Sequence, residues 1–179
     1  MKYSRCHQEQ VEAVTRLFTR VFTDSEGAAE GKLIGRLAHT LRTTGERGSV
    51  LCFTAEEDAA IFGAVFFSRF TVTGNQARAY LLSPMAVDTA YQGRGIGQQL
   101  IGFGLDALKE AGTELVLTYG DIRFYSKVGF RKIPEEVIRA PLPLSYPEGW
   151  LAQSLVSDRI DPIPGESACV KELNDPAYW

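Results

Sequence analysis

The sequence predicts a mixed α/β fold in which a mostly antiparallel, splayed central sheet is flanked by helices. Two observations support this class. Apolar residues recur at helical spacing up to residue 42, whereas Val-, Phe- and Ile-rich strand patterns occupy residues 49 to 87. From residue 77 onward, the predicted order is strand, loop, helix, strand, helix, strand. Strands mixed with helices in this way are typical of a sheet covered by helices.

Two amphipathic helices are predicted near the N-terminus. From Gln8 to Phe22, apolar residues share one helical face and polar residues the other. A second helix is expected from Ala29 to Arg42, and Gly45 follows it as a stop signal. Both helices therefore present one apolar face to a core.

Three strands are expected next. Ser49 to Thr54 and Ala60 to Val72 predict a hairpin across the polar turn Glu56-Glu57-Asp58. Gly74-Asn75 predicts another turn, which leads into a third strand from Ala77 to Val87.

Ser83-Pro84 interrupts the third strand. Proline has no backbone N–H to donate to a neighbouring strand, so we expect a bulge or a splayed edge there. The sheet is thus predicted to be locally broken within this strand.

The next elements are a main helix, a buried strand, a short helix and a further strand. The helix carries an apolar stripe, and Gly112 is placed to cap its C-terminus. The residues concerned are Leu100, Ile101, Leu105 and Leu108 for the stripe, Thr113 to Thr118 for the buried strand, Ile122 to Lys127 for the short helix, and Gly129-Phe130 for the entry into the last strand.

The chain beyond Pro134 is proline-rich and predicts short extended pieces and turns. Its best strand candidate is Ala168 to Leu173. We expect one domain over residues 1–179, with residues 134–179 as a C-terminal extension that completes the sheet.

Composition narrows the function classes. Of 179 residues, 45% are hydrophobic and 23% charged, which is ordinary for a globular protein with a buried core. The net charge of -3 and the lack of a Lys/Arg run favour neither a nucleic-acid nor a membrane partner. No signal-peptide pattern or membrane-spanning apolar run is present, so a cytoplasmic location is expected.

The cysteines do not predict a metal site. Cys6, Cys52 and Cys169 are odd in number and widely spaced, and they form no CxxC or Cys/His cluster. Reduced thiols are therefore favoured over disulfides or zinc. Cys52, within a predicted strand, is interpreted as a small buried hydrophobic residue rather than an acyl acceptor.

The segment Gln92-Gly93-Arg94-Gly95-Ile96-Gly97 joins the third strand to the main helix. Its glycines allow a ligand to approach the backbone, and the first N–H groups of a helix have no internal partners. The first turn, Gly95 to Gln99, contains no Asp or Glu, although acidic residues favour this position. These features predict an anion site, and Arg94 adds positive charge.

Neither common phosphate motif fits this segment. A P-loop requires GxxxxGK[ST], and the dinucleotide fold requires GxGxxG after the first strand of a βαβ unit. Gly93, Gly95 and Gly97 have a different spacing, and the strand before them belongs to a predicted antiparallel meander. A plain tight turn between strand and helix is the alternative.

Two motifs together resemble the GNAT superfamily of N-acetyltransferases. Met85-Ala86-Val87-Asp88 followed by the glycine segment is similar to that family's cofactor-binding motif. Phe124-Tyr125-Ser126-Lys127-Val128-Gly129-Phe130 resembles its short-helix-to-strand motif at the expected distance downstream. Many members have Asn at the end of the fifth strand, whereas this chain has Gly120-Asp121-Ile122-Arg123, similar to a Gly-Asp-Pro variant of one bacterial branch.

The resemblance implies roles for individual residues. Backbone groups in the third strand would hold the pantetheine arm and thioester of acetyl-CoA, and a backbone N–H there would stabilise the oxyanion. No metal is implied. The cofactor-binding residues implied are Met85, Ala86, Val87, Gln92, Gly93, Arg94, Gly95, Ile96, Gly97, Gln98 and Phe124.

Tyr125 matches the family position often assigned as the general acid for the departing thiolate. A phenol pKa near 10 and a thiol pKa near 8.5 make full proton transfer uphill by about 2 kcal/mol. Hydrogen-bond stabilisation of the thiolate is therefore the larger expected contribution. An aromatic side chain that merely packs on the sheet is the alternative.

The resemblance implies transfer of an acetyl group to an amine of a small molecule or protein by direct attack on the thioester. A neutral amine requires a general base, for which Asp88, Glu57, Asp58 and His39 are candidates by type, and none is assigned. The alternative function is a non-catalytic acyl-CoA-binding regulatory module. Unpaired sheet edges can pair, which favours a homodimer through the tail strands, whereas the prolines of the tail would blunt such an edge.

Overall fold

The computed structural model describes every residue of the chain except Arg47. Its strands form one sheet of eight strands in the order β1-β2-β3-β4-β5-β7-β6, with β8 paired to β3. The strands are β1 (Lys2–Arg5), β2 (Val50–Glu57), β3 (Ala60–Val72), β4 (Ala79–Val87), β5 (Leu115–Tyr119), β6 (Arg131–Lys132), β7 (Trp150–Ser154) and β8 (Ser167–Ala168). The helices are α1 (Val11–Glu26), α2 (Ala28–Thr43), α3 (Ile96–Glu110) and α4 (Ile122–Tyr125).

Antiparallel pairing dominates the sheet. The β1–β2, β5–β7, β6–β7 and β3–β8 pairs are antiparallel, whereas β4 and β5 are parallel. A parallel pair needs a crossover, and α3 supplies it between β4 and β5. The predicted fold class, a mixed and mostly antiparallel sheet with flanking helices, is confirmed.

The chain divides into two compact units, one of residues Met1–Phe67 and Pro84–Gly104, the other of residues Ser68–Ser83 and Leu105–Trp179. In the first unit, the two predicted N-terminal helices are present as α1 and α2. Their apolar faces are buried, and the Phe18 ring of α1 lies 5.6 Å from that of Phe66 in β3. A 3-10 helix at Gln8–Gln10 leads into α1.

The second unit is built around an aromatic core. Trp150 of β7 is fully buried, its ring centroid lies 6.2 Å from that of Phe70, and its Nε1 donates to the Ile138 carbonyl at 2.8 Å. The Trp179 ring packs on Trp150 at 6.0 Å and stacks on Tyr119 at 6.1 Å. The buried strand predicted before residue 119 is β5.

The first turn of the hairpin differs from the prediction. Glu56 and Glu57 belong to β2, and the turn consists of Asp58 and Ala59, which have φ angles of 49° and 64°. Two-residue hairpin turns that match strand twist require positive φ at both central residues. Glu56 stays in the strand because it pairs with Lys2 of β1.

The tail strand was also predicted in the wrong place. Only Ser167–Ala168 is extended near the predicted segment Ala168 to Leu173, and Lys171–Leu173 forms a 3-10 helix. The main strand of the tail is β7, which pairs with β5 over five residue pairs. The sequence of β7, WLAQS, does not alternate between apolar and polar residues as a half-buried strand does. The first three residues of β7 are all buried.

Candidate functional site

Strand β4 ends at the predicted residue, Val87, and its pairing with β5 ends earlier. The β4–β5 register covers four pairs, from Ala79–Leu115 to Leu82–Thr118. Ser83 and Pro84 follow directly, so the parallel ladder stops at the residues whose sequence predicted a splayed edge. The three predicted pantetheine-binding residues, Met85 to Val87, form the last part of β4.

A short anchored loop connects β4 to the glycine segment. The Asp88 N–H donates to the Phe62 carbonyl at 2.8 Å, and the Asp88 carboxylate accepts from the Ala90 N–H at 3.0 Å and pairs with Arg20 of α1. The Tyr91 ring lies 4.1 Å from the Phe62 ring. The loop is therefore fixed to α1 and β3, which positions the residues after it.

The glycine segment turns the chain sharply into α3. Gly93 and Gly95 have φ angles of +74° and +77°, which only glycine adopts without strain, and α3 begins at Ile96. A Cβ atom at Gly93 would meet no atom within 4 Å, and one at Gly95 only the Gln99 side chain at 3.7 Å. Backbone conformation, not crowding, thus requires glycine here, and the space above the turn is open.

The polar side chains of the segment brace the turn. Gln92 Nε2 donates to the Val87 carbonyl at 3.0 Å, and Arg94 Nη2 donates to the Ala90 carbonyl at 3.2 Å. The Arg94 guanidinium also lies 4.9 Å from the centre of the Tyr91 ring. Arg94 is exposed, and α3 carries no acidic residue in its first turn, so the local charge is positive.

Ile96, Gly97 and Gln98 form the first turn of α3, and Ile96 and Gly97 are buried, whereas Gln98 is half-buried. The exposed part of the segment is therefore Gln92 to Arg94. The residues from Met85 to Gln98 all belong to the first compact unit, and Phe124 and Tyr125 belong to the second.

Tyr125 lies at the C-terminal end of α4, packed among aromatic rings. Its ring makes edge contacts with Phe124 at 5.1 Å and Phe130 at 5.7 Å between centroids. A Cβ atom at Gly120 would lie 2.7 Å from the Tyr125 ring, so this position accommodates the tyrosine only as glycine. The ring orientation is therefore tightly determined.

The side chain of Thr118 lies near the Tyr125 hydroxyl. Burial of the phenol raises the pKa of Tyr125, and the Thr118 hydroxyl partly opposes this effect. The Thr118 hydroxyl in turn donates to the Leu82 carbonyl at 2.9 Å, at the last pair of the β4–β5 ladder. Sequence reasoning missed Thr118, because Leu82 is distant from it in the chain and no motif contains Thr118.

The unusual Gly120-Asp121-Ile122-Arg123 segment caps α4. The Asp121 carboxylate accepts from the Arg123 N–H at 2.9 Å and from the Arg123 guanidinium at 2.8 Å. Hydrogen bonds from the Arg123 side chain and backbone hold the pKa of Asp121 below its usual range. Asp121 therefore serves as the N-cap that starts the helix carrying Tyr125.

The four candidate bases are engaged or exposed. Asp88 anchors the loop, Glu57 pairs with the N-terminal ammonium at 3.1 Å, and Asp58 lies exposed in the hairpin turn. His39 Nδ1 on α2 lies 3.7 Å from a Glu12 oxygen of α1. Asp88, Glu57 and His39 therefore have structural contacts of their own.

Among the residues the structure describes, no group of three or more His, Cys, Asp or Glu side chains could hold a metal ion. Within the same residues, no helix combines the length and apolar character needed to cross a membrane.

Comparisons with known proteins place the chain in a family. Residues 48–132 match the model of the acetyltransferase (GNAT) domain. The uncharacterized N-acetyltransferase YhbS of Escherichia coli K12 is 32% identical over 140 residues, which cover 78% of this chain and 80% of YhbS.

Solved structures agree. The crystal structure of Escherichia coli YhbS in complex with CoA superposes with a TM-score of 0.84 at 27% identity, covering 97% of this chain and 92% of that one. A GNAT family acetyltransferase from Brucella melitensis, solved in complex with acetyl-CoA, has the same fold, with a TM-score of 0.75 at 23% identity and 97% coverage of both chains. The chain described here belongs to the GNAT family and is an N-acetyltransferase.

Proposed function

We propose that this chain binds acetyl-CoA on the glycine segment and transfers its acetyl group to an amine of a small molecule or protein. The observation that carries the proposal is the turn Gln92 to Gly97, with two positive-φ glycines, open space above them and an acid-free helix start behind them. The structures of YhbS with CoA and of the Brucella melitensis acetyltransferase with acetyl-CoA support this choice of cosubstrate.

The pyrophosphate of the cosubstrate is assigned to the N–H groups at the start of α3. A helix N-terminus carries roughly half a positive charge and several unpaired donors. Arg94 adds a formal charge to this end of the helix, and Gln92 keeps the turn attached to the end of β4. Gln98 and Phe124 are assigned to the same cosubstrate through the family resemblance.

The pantetheine arm is assigned to the backbone of Met85, Ala86 and Val87. The β4–β5 ladder ends at Leu82, before these residues, so a ligand can add to β4 as an extended strand would. A backbone N–H in this stretch would stabilise the oxyanion of the tetrahedral intermediate, a contribution of roughly 3 to 4 kcal/mol in other enzymes.

Tyr125 is assigned to the leaving thiolate. Because burial raises its pKa, the phenol is protonated at neutral pH and is a weak acid. Full transfer of its proton to a thiolate with a pKa near 8.5 is therefore unfavourable, whereas donation of a hydrogen bond is not. The phenol lowers the barrier by stabilising the thiolate as the carbon–sulfur bond breaks.

The acetyl group moves by direct attack of the neutral amine on the thioester carbonyl. The amine forms the new carbon–nitrogen bond, the tetrahedral intermediate expels CoA thiolate, and the amine proton leaves to a base or water. The route needs neither an acyl-enzyme nor a metal, and Cys52 is too deeply buried, at 1% exposure, to receive the acetyl group.

The test combines turnover with binding. Consumption of the acetyl-CoA thioester is followed with a panel of primary amines, including polyamines, aminoglycosides and lysine peptides. Amine-dependent release of CoA thiol with a matching acetylated product supports transfer. Acetyl-CoA binding without turnover on any amine would favour the non-catalytic acyl-CoA-binding module.

A pair of glycine variants tests the cosubstrate site. Gly95→Ala disfavours the φ near +77° by about 1 to 2 kcal/mol, so the turn of the free protein should relax to another conformation. Restoring the binding conformation should then weaken acetyl-CoA binding about tenfold. Gly102→Ala in the middle of α3 is the control, because a Cβ there meets no atom within 4 Å. Equal affinities of the two variants would argue against the assigned site.

A further inference from the structure

Cys6 and Cys52 lie opposite each other across two antiparallel strands. The β1–β2 register ends at Arg5–Phe53, and the next pair continues it, because the Cys6 N–H donates to the Cys52 carbonyl at 2.8 Å. Directly opposed residues point to the same face of a sheet, and their Cα atoms are about 5.5 Å apart in a hydrogen-bonded pair. Disulfides span this separation.

The two thiols share a buried site, in which Cys6 Sγ donates to the His7 carbonyl at 3.5 Å and Cys52 Sγ to the Phe53 carbonyl at 4.0 Å. Cys6 is 7% exposed and Cys52 only 1%. Arg42 of α2 lies beside them, and its Nη2 donates to the His7 carbonyl at 3.3 Å. A positive charge next to paired sulfurs favours the thiolate that begins thiol oxidation.

The two sulfurs differ in reactivity. A hydrogen bond from Cys52 and the charge of Arg42 lower the pKa of Cys6 against the opposing effect of burial. Burial raises the pKa of Cys52 well above its ordinary value, and its interaction with Cys6 adds to this effect. Cys6 is therefore the better nucleophile and also the more exposed of the two.

We propose that Cys6 and Cys52 form a reversible disulfide that links β1 to β2, with a hydroperoxide as the oxidant. The Cys6 thiolate attacks the peroxide, the O–O bond breaks, an alcohol or water leaves with a proton, and Cys6 becomes a sulfenic acid. The Cys52 thiol then attacks the Cys6 sulfur, the S–O bond breaks, and water leaves. Two thiols are oxidised by two electrons in all, and a dithiol reductant reverses the reaction.

The bond would close a loop that contains both α1 and α2. Closing a loop of this length restricts the unfolded chain strongly, so the oxidised protein should melt at a higher temperature, by roughly 5 to 15 °C. The proposal does not depend on acetyl transfer, since neither sulfur has a role in that reaction.

The test counts accessible thiols after oxidation. The folded protein is treated with hydrogen peroxide, unfolded, and labelled with a maleimide, and its mass is measured. The reduced chain has three free cysteines and should take three labels, whereas the oxidised chain should take one, on Cys169. Dithiothreitol should restore all three labels and lower the melting temperature again.

Single variants identify the pair. The Cys169→Ser variant has only Cys6 and Cys52 and should take no label after oxidation. The Cys6→Ala variant has only Cys52 and Cys169 and should still take two labels. Cys52→Ala provides a second test should Cys6→Ala fold poorly, and it too should keep both labels. Three labels after peroxide, loss that dithiothreitol does not reverse, or loss of label in Cys6→Ala would overturn the proposal.

Discussion

At the residue scale, the position of Tyr125 depends on two small neighbours. Gly120 leaves space for its ring, and Thr118 supplies the hydroxyl that faces its phenol. The Thr118 side chain is itself held by the Leu82 carbonyl. This chain of contacts orients the phenol before any ligand binds, and orientation in advance is what a hydrogen-bond donor to a thiolate requires.

Replacing Tyr125 by Phe should lower kcat about 10- to 100-fold, because a hydrogen bond to a charged group contributes roughly 1.5 to 3 kcal/mol. The affinity for acetyl-CoA should change little, since the thioester sulfur is uncharged before reaction. Steady-state kinetics and equilibrium binding measure the two effects. Tyr3→Phe, which loses only an exposed hydrogen bond to Gln99, is the matched control.

The pH profile provides a second readout for Tyr125. Because its pKa is raised above 10, ionisation of the phenol should cause no loss of kcat between pH 7 and 10. A fall in kcat in this range that disappears in Tyr125→Phe would assign an ionising role to the phenol, contrary to the proposal.

Glu56 of β2 should make stability depend on acid pH. Burial by itself raises its pKa, but hydrogen bonds from Thr54, Gln10 and Ser4 outweigh burial and leave the pKa below its ordinary value. A depressed carboxyl pKa contributes stability that is present above the unfolded-state pKa and is lost as pH falls through the folded-state value. This contribution to stability is therefore expected to be lost at and below about pH 4.

Glu56→Gln should accordingly destabilise the protein by about 1 kcal/mol at pH 7 and by less at pH 3. Urea unfolding at both pH values measures the difference. Glu57→Gln is the control, because Glu57 is the next residue of β2 and its side chain is exposed. If Glu56→Gln lowered the free energy of unfolding equally at pH 7 and pH 3, the result would contradict the role of the Glu56 charge.

At the element scale, α3 contains two glycines with opposite environments. A Cβ at Gly104 would lie 2.4 Å from the Phe67 ring of β3, whereas one at Gly102 would meet nothing within 4 Å. Close packing of helix on sheet therefore explains the glycine at position 104 but not the one at position 102.

The two alanine variants should therefore shift stability in opposite directions. Gly104→Ala should destabilise by about 1 to 3 kcal/mol, because the buried ring of Phe67 must move. Gly102→Ala should stabilise by up to about 1 kcal/mol through helix propensity alone. Chemical denaturation of both variants tests the pair, and destabilisation by Gly102→Ala would indicate a contact or a ligand at that position.

Elements with a clear sequence pattern were predictable, and elements without a pattern of their own were not. The stripes of α1, α2 and α3 are local patterns, so their positions follow from spacing alone. Strand β1, with the sequence KYSR, shows no apolar alternation and is extended only because β2 pairs with it. The same pairing brings Cys6 to Cys52, which no local pattern reveals.

The parts of the candidate site that lie in one continuous stretch of sequence were predictable, and the parts that only the fold brings together were not. The turn from Gln92 to Gly97 lies in one stretch of sequence, and two of its glycines, Gly93 and Gly95, have positive φ angles. Thr118 comes near the phenol of Tyr125 only in the folded chain. The residues assigned to acetyl-CoA stay predictions until a ligand is bound.

At the scale of the whole molecule, the net charge of the protein and the charge of CoA have the same sign. The chain carries -3 at neutral pH, and CoA is strongly anionic, so long-range attraction does not favour binding. The proposed site must therefore attract the pyrophosphate locally, through the start of α3 and Arg94. Affinity should then depend on the pyrophosphate more than on the acetyl-pantetheine arm.

Binding to the native state should raise the stability of the whole protein. Acetyl-CoA at a hundred times its dissociation constant contributes about 2.7 kcal/mol, which corresponds to a rise in Tm of roughly 5 to 11 °C for a chain of this size. At the same concentration, acetyl-pantetheine, which lacks the pyrophosphate, should produce a much smaller rise because the start of α3 stays unfilled. Thermal unfolding with each ligand measures the difference, and equal shifts would remove the glycine turn from the site while leaving the thioester arm on β4.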